Sequence, residues 1–103
     1  MSPTELVYEE FVIRLDGPMI ELVGRDFRGI FRHHVNFAQA SLTPKKNGKV
    51  ELYVDDGGGL DRPFLQEKIS GAWAEWRFQV PPEGESALVD FFSEAERRRV
   101  PPS

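Results

Sequence analysis

The chain contains no cysteine, and among its 103 residues there are only two histidines, two tryptophans and two tyrosines. The missing cysteine excludes disulfides, thiol nucleophiles and cysteine-ligated zinc or iron–sulfur centres. It also fits a reducing compartment. No apolar run approaches the roughly 18 residues that a membrane-spanning helix needs. The first residues, Met1-Ser2-Pro3-Thr4-Glu5, are acidic and carry no signal-peptide core, so the expected location is cytoplasmic.

The composition is that of one folded domain. Apolar residues make up 40% of the chain and eight of its aromatics are phenylalanine, enough for a single core at this length. Net charge is -4, but it is unevenly spread. Residues 25–49 hold Arg25, Arg28, Arg32, Lys45, Lys46 and Lys49 against a single acid, Asp26, while residues 1–24 and 50–75 are acidic. An acidic chain with one basic segment is not built as a general nucleic-acid binder. It leaves room for a local anion site.

Period-two alternation dominates the pattern. Residues 5–15 put Val7, Phe11, Ile13 and Leu15 on one face, with Glu9 out of step, and read as one strand. Asp16-Gly17-Pro18 is turn chemistry, and residues 19–23 form a partner strand. Residues 27–37 fit a strand or a helix. Gly29, the aromatics and the β-branched residues favour strand, and residues 38–44 continue as strand or bend. Asn47-Gly48 is a hairpin signal leading into a strand at 49–55. There Val50, Leu52 and Val54 face in and Lys49, Glu51 and Tyr53 face out.

Asp55 to Gly59, with three consecutive glycines, reads as a mobile loop. Asp61 caps an expected short helix ending near Gly71, with Phe64, Leu65, Lys68 and Ile69 inward. Residues 72–80 return to alternation: Ala74, Trp76, Phe78 and Val80 on the apolar face, Trp73, Glu75, Arg77 and Gln79 on the other. After Pro81-Pro82, Leu88, Phe91, Phe92 and Ala95 make a core-facing stripe on a helix from about Glu85 to Arg99, with acids at its start and Arg97-Arg98-Arg99 at its end.

These elements predict an α+β fold: an antiparallel, curved sheet or partly open barrel capped by a C-terminal amphipathic helix. The element order resembles that of pleckstrin-homology-like domains. The resemblance is one of architecture and implies no activity.

Catalytic signatures are incomplete. On a strand His33 and His34 point to opposite faces and cannot share a metal, and there is no third histidine. Asp55, Asp56 and Asp61 lack the spacing and the bidentate glutamate of a calcium loop. Gly57-Gly58-Gly59 lacks the lysine and hydroxyl of a phosphate loop and is flanked by acids. No serine lies in a nucleophile elbow, and Glu9 and Glu10 diverge. No cofactor and no enzymatic role are expected.

Two binding surfaces remain. Trp73, Arg77 and Tyr53 mark an outer sheet face suited to a protein partner or a second copy of the chain. The alternative is an anion site for phosphate, nucleic acid or an acidic peptide, built from Arg25, Arg28, Arg32, His34, Lys45 and Lys46.

Overall fold

The computed structural model describes residues 4–25, 29–57, 59–67, 69 and 76–100. Within them the fold is α+β. One four-stranded antiparallel sheet has the order β1 (Glu5–Val7), β2 (Phe11–Asp16), β3 (Met19–Gly24), β4 (Ile30–His34). A second has the order β7 (Leu65–Gln66), β5 (Ala38–Pro44), β6 (Val50–Asp56), β8 (Trp76–Val80). The helix α1 (Glu85–Arg97) follows. The sheets do not close into a barrel; they form a curved pair capped by the helix, as the sequence predicts.

Alternation explains the core. Phe11, Ile13 and Leu15 of β2, Ile20 and Leu22 of β3, and Phe31 of β4 face inward from the first sheet. Ala38 and Ala40 of β5, Val50, Leu52 and Val54 of β6, and Phe78 and Val80 of β8 face them from the second. One continuous cluster joins these side chains to Leu88, Phe91, Phe92 and Ala95 of α1. The helix packs against β1 and β7, an edge strand of each sheet. At the opposite edges, Trp76 of β8 meets Phe31 of β4 edge-on at 5.9 Å. Trp76 is half-buried against the core.

Several expectations need correction. Residues 5–15 are not one strand. The chain turns at residues 8–10, and β1 folds back on β2 with Glu5 opposite Arg14 and Val7 opposite Val12. The out-of-step Glu9 marks that turn and is exposed. Tyr8 stacks on Phe11 at 4.8 Å instead of continuing the alternation. The strand expected through 27–37 stops at His34, where a single turn of 3-10 helix, Val35–Phe37, carries the chain into the second sheet. The His34 ring nitrogen accepts a hydrogen bond from the Asn36 backbone N–H at 3.0 Å and caps that turn.

No helix is present at residues 59–67. Leu65 and Gln66 instead pair in parallel with Ala40 and Ser41, and Ala40 N–H donates to the Phe64 carbonyl at 2.9 Å. The open edge of β5 needed backbone partners, and this segment supplies them. Phe64 and Ile69 are buried nonetheless. Strand β6 runs on through Asp56, so the loop begins only at Gly57, whose φ of +94° suits glycine. The helix ends at Arg97. Trp73, with the rest of 70–75, and Arg28 lie outside the described residues.

Candidate functional site

The outer face of the second sheet is set by register. Ser41, Tyr53 and Arg77 stand side by side across β5, β6 and β8, and Thr43, Glu51 and Gln79 form the next row. A groove of about 480 Å³ opens over this face, lined by Ser41, Thr43, Lys45, Tyr53 and Arg77, with Glu67 and Ile69 completing its wall. The alternation that buries Val50, Leu52 and Val54 therefore presents Tyr53 and Arg77 to the groove.

Glu51 is the unexpected member. It faces outward, as the alternation predicts, yet its side chain is only 9% exposed. Lys45 Nζ lies 3.6 Å from one carboxylate oxygen and Arg77 Nε 3.8 Å from the other. The second oxygen, Oε1, is buried and has no hydrogen-bond partner among the described residues. A carboxylate so placed is held by charge at a distance and keeps acceptor capacity. The Arg77 guanidinium also sits 6.0 Å from the centre of the Tyr53 ring, at the outer limit of a cation–π contact.

Among the described residues the basic side chains do not converge. Arg32 lies on the outer face of the first sheet, 2.6 Å from Glu21 and 3.4 Å from Asp16. His34, in the same sheet, caps the 3-10 turn. Arg25 donates to the Tyr8 carbonyl at 3.0 Å. Lys45 and Lys46 follow β5 in the second sheet, Lys45 beside Glu51 and Lys46 exposed in the hairpin turn. The structure thus joins Lys45 to Tyr53 and Arg77 and separates it from Arg25, Arg32 and His34.

Sequence reasoning missed two buried carboxylates, Glu21 and Glu51, each on an outward face. The available signal was cross-strand, visible only once the register is known: Glu21 stands directly between Arg14 and Arg32, whereas Glu51 stands between Thr43 and Gln79 and meets Lys45 and Arg77 from the neighbouring rows. It also missed Arg99, whose side chain is 5% exposed. Its guanidinium donates to the carbonyls of Val35 at 3.0 Å, Ala38 at 3.1 Å and Arg62, and lies over the Phe64 ring at 5.3 Å.

No group of three or more metal-ligating side chains occurs among the described residues, and none of their helices is long and apolar enough to cross a membrane. Comparison with known proteins finds no matching family model, no matching curated protein and no matching solved structure.

Proposed function

We propose that this is a non-enzymatic interaction domain that binds a protein partner through the outer face of its second sheet. The observation that carries the reading is the groove itself, where the Tyr53 ring and two cations, Lys45 and Arg77, line one concavity beside the buried Glu51 carboxylate. Tyrosine and arginine are the side chains most often found at the energetic centre of protein interfaces. A partner surface seated in the groove would cover the Tyr53 ring and pack between the flanking Lys45 and Arg77 side chains. The proposal keeps the cytoplasmic setting suggested by the composition.

The anion-site alternative has less support. Lys45 is already close to Glu51, Arg32 is paired with Glu21 and Asp16, and the described basic residues are divided between two sheets. A photo-crosslinking residue at position 53, compared with one at the exposed Asp90 of α1, tests the reading in the source cells. One dominant protein adduct is expected from position 53 and none from position 90, with loss of the adduct on Arg77→Glu. Absence of an adduct from position 53, or capture that collapses steeply as salt rises, would turn the assignment to an anionic ligand.

A further inference from the structure

The outer face of the first sheet carries a second pattern, independent of the groove. Register places Val7, Val12, Val23 and Ile30 in one row across all four strands. The two ends of this β-branched stripe are open: Val7 is 64% and Ile30 63% exposed. Two residues along each strand, the next row reads Glu5, Arg14, Glu21, Arg32. Its charges alternate in sign from one edge of the sheet to the other. Glu21 is sunk between Arg14 at 3.3 Å and Arg32 at 2.6 Å, while the two arginine side chains remain 47% and 44% exposed.

We infer that this face is a self-association surface, and that its occupant is a second copy of the chain. The face is complementary to itself by symmetry. A row of signs that alternates over an even number of positions becomes its own complement when reversed. A two-fold axis parallel to the strands, passing between β2 and β3, reverses the row. It sets Glu5 opposite Arg32 of the other copy and Arg14 opposite its Glu21. The same operation sets Val7 opposite Ile30 and Val12 opposite Val23, so apolar meets apolar along the whole stripe. Isologous contact of this kind is the commonest way in which identical chains associate, and aligned packing of two sheet faces is an ordinary geometry.

The size of the face sets the strength. Four strands about 4.8 Å apart, with rows roughly 7 Å apart along them, give a footprint about 19 Å across and 15 to 20 Å long. That is small for a permanent interface, so the dimer belongs to the weak, concentration-dependent class.

Sedimentation equilibrium of the full chain, from about 10 µM to about 1 mM, should show a reversible monomer–dimer equilibrium in the range expected of a small interface. Ile30→Glu, and separately Val7→Lys, should leave a folded monomer by circular dichroism and abolish the dimer. Glu5→Arg alone and Arg32→Glu alone should each weaken the homodimer by placing like charges opposite each other. Mixed together, the two variants should form a heterodimer at least about tenfold tighter than either homodimer, because both contacts then become attractive. Intrachain effects of Arg32→Glu on Glu21 and Asp16 cannot produce that preference. If Arg32→Glu does not fold, the two stripe variants decide the matter. A wild-type chain that stays monomeric throughout, a dimer that survives Ile30→Glu, or a mixture no tighter than its homodimers overturns the proposal.

Discussion

Arg99 shows how much a single side chain contributes here. It follows the last residue of α1 by two positions, and its planar fork reaches three carbonyls on two other segments, 35–38 and Arg62. The neighbouring Val100 exchanges two hydrogen bonds with the Asn36 side-chain amide, at 2.9 and 3.0 Å. Together they tie the end of the helix to the turn where the chain passes between sheets. Replacing Arg99 with methionine should destabilise the protein by about 2 kcal/mol, because the part-buried carbonyls of Val35 and Ala38 lose their donor. Lysine should recover little, since one ammonium cannot reproduce the fork. Urea denaturation of the two variants measures both. From sequence, Arg99 is indistinguishable from Arg97 and Arg98, which pair with Glu94 on the helix surface at 2.8 and 3.0 Å.

Among the elements, α1 was the most legible and β7 the least. Leu88, Phe91, Phe92 and Ala95 fall at helical spacing, and all four are buried. Phe91 meets Phe92 edge-on at 5.6 Å, and Phe92 stacks near Phe64 at 5.6 Å. Phe91→Ala should lower stability by about 3–5 kcal/mol, the range for emptying a fully buried aromatic site. A thermal melt with a retained helical signal below the transition checks it, and an unchanged midpoint would contradict the packing. The stretch around β7 carries a capping aspartate, a proline and an inward stripe. Those local signals favour helix. What decided otherwise was the demand of a distant strand: β5 had an unpaired edge, and Leu65 and Gln66 fill it. The 5–15 strand failed for a related reason. Glu9 was the one residue against the alternation, and a turn there removes the conflict.

At the scale of the whole molecule, stability should vary with pH through two carboxylates shifted in opposite directions. The Glu94 carboxyl is held below its ordinary value by hydrogen bonds from Arg98 and Arg97. Its contribution is present above the unfolded carboxylate range and lost as the pH falls through its folded value. The Asp55 carboxyl is raised, first by burial and then by neighbouring Asp56. Ionised, it opposes folding above the unfolded value of 3.8 and ceases to do so once protonated in both states. Asp55→Asn should therefore raise the melting midpoint at pH 7 and leave it nearly unchanged at pH 3. The hydrogen bond that Asp55 Oδ1 accepts from Asp56 N–H can be kept by the amide oxygen of asparagine. Scanning calorimetry of both proteins at the two pH values provides the comparison.

The sequence by itself determined the inside of this protein. Period-two runs and one helical stripe name nearly every core side chain, because burial of apolar area is repaid residue by residue and leaves its mark in local spacing. For β2, β6 and β8 it also determined which side faces out, and so pointed Tyr53 and Arg77 away from the core before any pairing was known; in β1 it put Val7 on the wrong side. Tertiary structure decided what lies beside what. Only register brings Lys45 and Arg77 to Glu51, leaves Arg25, Arg32 and His34 with the other sheet, and lines up Val7, Val12, Val23 and Ile30 into one stripe. Those adjacencies join strands far apart in the chain, and no local pattern encodes which residue will stand opposite which.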